Sequence, residues 1–205
     1  MSSTSPLIYL ASASPRRHEI LLQMGIAHQI LKVPSPPGED EPRLPNETPE
    51  HYVCRTAKDK ALRAVDWIST QALPCAPILS ADTTVILNND ILGKPVDQNE
   101  ARQMLERLSG ATHFVHTAVV LAHAGQAHED VSITEVRMKR LSKTEIDAYC
   151  ATGEPMGKAG SYGIQGAAAF FIEHISGSYS GVMGLPIFET YRLLQQCSVR
   201  SSIFA

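Results

Sequence analysis

Two periodicities run through this chain and predict its elements. Leu7 to Ala11 is a short apolar run, which predicts a buried first strand. Ile20, Leu21 and Met24 then recur at helical spacing. Ser14 suits the N-cap of that helix, Pro15 its first position, and Gly25 its stop. A second helix opens at Thr48-Pro49-Glu50 and runs to about Val65, with Val53, Ala57, Ala61, Ala64 and Val65 as its apolar face. Asp66 to Pro74 reads as a connector and Ala76 to Leu87 as a strand. Asn88-Asn89-Asp90 is a turn signal, so Ile91 to Pro95 should return antiparallel. Asp97 to Glu100 opens a helix that buries Ala101, Met104, Leu105 and Leu108 and ends at Gly110. Thr112–His123 and Ala127–Leu141 read as two strands joined at Ala124-Gly125-Gln126. Ser142 to Glu145 is a capping box for a helix ending at Gly153. Ala167 to Ile175 predicts one buried strand, and Pro186 to Gln196 a last helix with Ile187, Tyr191 and Leu194 inward.

Four stretches break the pattern. Gly153 to Pro186 holds eight of the thirteen glycines, on both sides of the expected strand. Such loops form pocket walls where backbone must come close to a ligand, or they are ordinary surface turns. Asp82 sits in the middle of an otherwise apolar strand, Ala76 to Leu87. A carboxylate there is costly unless partnered, so it marks a functional site or is satisfied by backbone at a strand end. Arg16 and Arg17 fall in the first turn of a helix, beside Ser12 and Ser14. The helix dipole disfavours arginine there and attracts anions. The pair therefore either serves a phosphate or is solvated. Lys60 lies at the edge of its helix's apolar face, where it snorkels or reaches into a cleft. Lys94, on the returning segment, should lie near the strand that carries Asp82. The proline-rich loop from His28 to Leu44 carries Glu39, Asp40 and Glu41, either a solvated cluster or a site for a hard cation.

Bulk properties narrow the classes. The chain has 205 residues, 43% hydrophobic and 19% charged, enough for one large domain or two fused lobes. Net charge of −3 and a pI near 6.2 argue against a nucleic-acid binder that works through a basic surface. Cys54, Cys75, Cys150 and Cys197 are scattered and form no CxxC pair, which fits reduced thiols. His113, His116, His123 and His128 show no metal-ligand spacing and read as structural. No apolar run approaches the ~20 residues of a membrane span. The first residues lack the basic region of a secretory signal, so a cytoplasmic location is expected. No GxxxxGK[ST] occurs, which argues against a P-loop enzyme.

Taken together, LASASPRR (10–17), AKDKA (57–61), SADTTV (80–85) with LGKP (92–95), LSG (108–110), and GEPMGKAGSYGIQG with GSYSGVMGLP resemble the Maf proteins, nucleoside triphosphate pyrophosphatases. The resemblance covers nearly the whole chain. It implies one domain over 1–205 of α/β architecture, with a mixed elongated sheet flanked by helices and two lobes around a deep cleft. That architecture is similar to the inosine triphosphate pyrophosphatase fold. It implies hydrolysis to the monophosphate and pyrophosphate with a divalent cation, Mg²⁺ or Mn²⁺, and a homodimer. AGSYGIQG looks like the branch acting on dTTP and UTP. By the same resemblance, Asp82 matches the catalytic acid–base position, and Arg16, Thr83 and Gln165 match positions that set base preference. Glu41 aligns with an acidic loop position implicated, with Asp82, in holding metal. One departure stands out. The family usually carries an acidic residue before the lysine of the KAG motif, and here Gly157 precedes Lys158.

The residues and the resemblance converge on phosphate chemistry. A triphosphate carries about four negative charges that must be neutralised. Ser12, Ser14, Arg17, Lys60, Lys94 and Lys158 are the expected phosphate-binding set, with Arg16 adding positive charge. Asp82 is expected to take a proton from water attacking the α-phosphorus. An amide side chain such as Gln165 can match the carbonyl and N3–H of a pyrimidine. Two rivals stand beside this reading. One is a nucleotide-binding regulator of septum formation or cell division with little turnover. The other is the same chemistry on a modified purine such as 7-methyl-GTP.

Overall fold

The computed structural model describes residues 8–34 and 42–204. It is a mixed α/β fold built on one seven-stranded sheet. Strands β1 (Ile8–Leu10), β2 (His28–Ile30), β3 (Ile78–Leu87), β5 (Thr112–His123), β6 (Gln126–Met138) and β7 (Ile172–Ser176) lie in the order β2-β1-β3-β5-β6-β7. The short β4 (Asp90–Leu92) pairs with β3 off this path. β1 is parallel to both neighbours, and every other pairing is antiparallel. Asn88 and Asn89 both take positive φ, 51° and 68°, which is the geometry a tight hairpin between β3 and β4 requires.

Helices cover the sheet unequally. On one face, α2 (Pro49–Thr70) lays Val53, Ala57, Ala61, Ala64 and Ile68 against Tyr9, Ile78, Ala118, Val120 and Ala122. The other face carries two separate cores. Leu79 and Ala81 of β3, with Val119 and Leu121 of β5, pack under α1 (Pro15–Gln23) and α6 (Ile187–Gln196). Val85 and Leu87 of β3, with Val115 of β5, pack under α3 (Gln98–Leu108) and α4 (Lys143–Ala151). All these β3 and β5 residues share one face by the period of two. Between the two cores, the same face presents Thr83 and Thr117, which are register partners. The polar break that separates the cores is thus written into two strands at the same height.

The structure corrects several expected boundaries. α2 continues to Thr70, because no glycine or proline interrupts 50–70 and Ile68 extends the buried stripe. Val65, expected inward, is 38% exposed. The single buried strand expected over 167–175 is instead a 3-10 turn, Ala167–Phe171, followed by the short edge strand β7. Three successive alanines offer little strand preference, and β7 has a neighbour on one side only. The second glycine-rich stretch contains a one-turn helix, α5 (Tyr179–Met183), which Ser178 caps by accepting from the Gly181 N–H at 3.0 Å. On α6 the buried residues are Thr190, Leu193 and Leu194, while Ile187 is 39% exposed. Among the described residues, no helix is long and apolar enough to cross a membrane.

Candidate active site

The LASASPRR segment runs from β1 into α1 as its pattern predicts. Ser14 is the N-cap residue in extended conformation, and Pro15 follows. The Ser14 N–H bonds to Ser12 Oγ at 3.2 Å, which rounds the turn. Arg17 donates from three nitrogens: to the Gly184 carbonyl at 2.7 Å, to Ser12 Oγ at 3.1 Å and to Thr83 Oγ1 at 3.3 Å. Arg16 donates to the Met183 carbonyl at 3.3 Å. The arginines that the α1 dipole disfavours are thus met by carbonyl oxygens at the C-terminal end of α5. Burial pushes the Arg17 guanidinium below its ordinary value; Asp82 pulls it back and Arg16 adds to the fall. A bound anion would relieve that stress. Thr117 completes the junction, with its hydroxyl 3.0 Å from Thr83 Oγ1 and 2.8 Å from the Gly181 carbonyl. Gly184 ends α5 at φ 114°, a conformation that favours glycine and turns its carbonyl onto Arg17.

Asp82 sits on β3 on the face toward α2. Its Oδ1 accepts from Lys60 Nζ. Its Oδ2 lies 2.8 Å from the Thr56 hydroxyl. Two residues earlier on the same strand face, Ser80 Oγ donates to the Ala57 carbonyl at 2.8 Å, so α2 and β3 are pinned together beside the carboxylate. The costly charge inside the strand is therefore satisfied by side chains from a helix, not by backbone at a strand end.

The third wall comes from the GEPMGKAGSYGIQG segment. Lys158 Nζ donates to the Glu154 carbonyl. Burial lowers the Lys158 pKa, Arg16 adds to the fall, and Glu154 opposes it. The Gly160 N–H bonds to the Gly93 carbonyl at 3.0 Å, which ties this segment to the loop bearing Lys94. A Cβ on Gly160, at φ 66°, would stand 2.8 Å from Val85 Cγ1, so only glycine lets the segment lie on β3. Glu154 holds the segment's far end: its carboxylate accepts from the Tyr149 hydroxyl at 2.9 Å and from the Ala167 N–H at 3.0 Å. Tyr162 is buried, with its hydroxyl 2.8 Å from Nε2 of the buried His113. Burial pushes that imidazole down to about 4, so it is neutral at ordinary pH.

These walls enclose a cavity of about 820 Å³. Of the expected site residues, Ser12, Ser14, Arg16, Arg17, Lys60, Asp82, Thr83, Lys94 and Lys158 line it together. Gln165 does not: it is exposed and absent from the lining. Glu39, Asp40 and Glu41 lie outside the described residues. Gly157 lines the cavity, and a Cβ there would meet nothing within 4 Å. Sequence reasoning missed Thr56, Lys32 and Arg63. Thr56 stands one helical turn before Lys60, and Arg63 one turn after it, so helical spacing could have found both. Lys32, just beyond β2, carried no such signal. Among the described lining residues the charged set is Arg16, Arg17, Lys32, Lys60, Arg63, Lys94 and Lys158 against the one carboxylate of Asp82.

Residues 7–197 match the family described as Maf-like protein. Three curated relatives are each named dTTP/UTP pyrophosphatase. The Bordetella pertussis protein is 56% identical over 199 residues, covering 97% of this chain and 96% of its own. The Cupriavidus metallidurans protein is 50% identical over 198 residues, covering 94% and 98%. The Nitrosomonas europaea protein is 48% identical over 196 residues, covering 94% and 95%. With nearly its full length matched by the family and by these relatives, the chain belongs to the Maf family.

Proposed function

We propose that this protein is a nucleoside triphosphate pyrophosphatase that hydrolyses dTTP and UTP, or modified pyrimidine nucleotides, to the monophosphate and pyrophosphate. The observation that carries the reading is Asp82, a single carboxylate in a cavity whose other described charged lining residues are all basic. Seven cations suit a ligand with about four negative charges. A carboxylate among them can do what binding alone does not need: it can take a proton from water beside the phosphates. Asp82 therefore favours turnover over a regulatory binder.

The chain's own groups supply the steps. Lys94 and Lys158 hold phosphate oxygens, with Ser12 and Ser14 at the α1 N-terminus, and Arg16 adds positive potential. Arg17, engaged by protein oxygens, contributes potential and geometry. As the phosphates enter, Lys60 exchanges Asp82 Oδ1 for a phosphate oxygen, which frees that oxygen. Asp82 then takes a proton from the water that attacks the α-phosphorus. The new P–O bond forms, the bond to the bridging oxygen of the β-phosphate breaks, and pyrophosphate leaves among the lysines. A divalent cation fits this donor set, because one carboxylate plus phosphate oxygens is how Mg²⁺ is usually held. Asp82 would hold it, with Glu41 as the proposed second ligand, and when bound it would neutralise phosphate charge. Arg16 and Thr83 at the cavity wall, with Gln165, are read as the base-selecting positions. We read 1–205 as one domain with two lobes around this cavity, working as a homodimer, as the family resemblance implies, and propose the cytoplasm as its location.

The test is product release from a panel of nucleoside triphosphates with Mg²⁺ or Mn²⁺. Fast pyrophosphate release from dTTP and UTP is expected. Release only from a modified purine such as 7-methyl-GTP would overturn the base assignment, and orthophosphate as the product would overturn the reaction.

A further inference from the structure

Asp82 is held by two donors of different kinds. Lys60 is charged and about one-third exposed, and its proposed ligand is a phosphate. Thr56 is neutral, 2% exposed, and fixed on a helix. We infer that Thr56 is a positioning residue: its hydroxyl anchors Asp82 Oδ2 and so turns Oδ1 toward the attacking water and any cation beside it. The inference rests on the reading of Asp82 as proton acceptor.

Three acceptors compete for the Thr56 proton. Asp82 Oδ2 is at 2.8 Å, the Tyr52 carbonyl at 2.9 Å and the Val53 carbonyl at 3.1 Å. The carboxylate wins, because a hydrogen bond to an ionised acceptor is about twice as strong as one to a neutral carbonyl. A proton turned toward the helix would also leave a hydroxyl lone pair facing the Asp82 anion in a buried place. The position of Thr56 is fixed independently of this bond. The Ser80–Ala57 bond joins the next residue of α2 to the strand, two residues before Asp82. When Lys60 moves to a phosphate, Thr56 is then the donor that still sets the plane of the carboxylate.

The experiment compares Thr56→Val and Thr56→Ser with the parent and with Asp82→Asn, measuring kcat and KM for dTTP and thermal midpoints. Valine keeps the shape and removes the donor; serine keeps the donor. The expected result is about a tenfold loss of kcat in Thr56→Val with KM unchanged, and recovery of most of it in Thr56→Ser. A purely structural role would lower the thermal midpoint and leave kcat of the folded protein unchanged. The inference is overturned if Thr56→Val turns over like the parent, if serine loses as much as valine, or if the loss falls on KM. Thr56→Ala repeats the test should the valine variant not fold. An Asp82→Asn variant that retains full activity would instead sink the reading of Asp82, a result separable from these.

Discussion

Asp82→Asn is expected to fold like the parent and to lose at least ~10²-fold in kcat, since positioned proton transfer is worth ~10²–10⁴-fold. The folding half follows from the surroundings. An amide is isosteric with the carboxylate and can still accept from Thr56 or Lys60, the two donors that hold Asp82. It leaves Lys60 without its anionic partner, but Lys60 is about one-third exposed and finds water. The catalytic half follows from what an amide lacks, namely a lone pair basic enough to take a proton from water. The measurement is single-turnover hydrolysis of dTTP beside a thermal melt. Parent-like turnover in a folded variant would remove Asp82 from its role.

Arg17→Met should damage both stability and activity. Its guanidinium joins α1, β3 and the end of α5 through Ser12, Thr83 and Gly184. Methionine fills much of the volume and makes none of these bonds. Leaving the buried Gly184 carbonyl unpaired costs about 1–3 kcal/mol. Arg16 and Ser12 would then lose the frame that places them, and a shift of about 1 Å in a positioning group can cost ~10²-fold. We therefore expect kcat/KM to fall by about 10²-fold, with the urea midpoint falling as well. Arg17→Lys should restore little, because a point charge cannot reach three oxygens as the planar fork does. Full activity in the lysine variant would show that charge alone matters at this position.

Much of this arrangement was legible in the residues because it is local. The strand-to-helix passage through Ser14 and Pro15, the Asn-Asn turn and the capping box at Ser142 are short-range signals, and each stands where its chemistry puts it. Asp82 was legible as an anomaly, since an unpartnered charge in a strand core demands a reason. What was hidden depends on the third dimension. Whether Lys60 snorkelled or turned into a cavity depended on which strand α2 covers. The arginines at the α1 N-terminus asked for a negative partner, and no periodicity could show that α5 carbonyls stand there. The Ala167–Phe171 turn was misread because apolar content alone cannot separate a strand from a 3-10 turn. Gln165 was placed by resemblance and by the fit of an amide to a pyrimidine edge, and the cavity lining is formed by other residues.

The most direct measurement of the central claim is the fate of the attacking oxygen. Hydrolysis of dTTP in heavy-oxygen water, followed by mass analysis of both products, identifies the phosphorus that was attacked. Water activated by Asp82 at the α-phosphorus places the label in the nucleoside monophosphate and leaves pyrophosphate unlabelled. Label in pyrophosphate would mean attack at the β-phosphorus, and would contradict this account of how the cavity works.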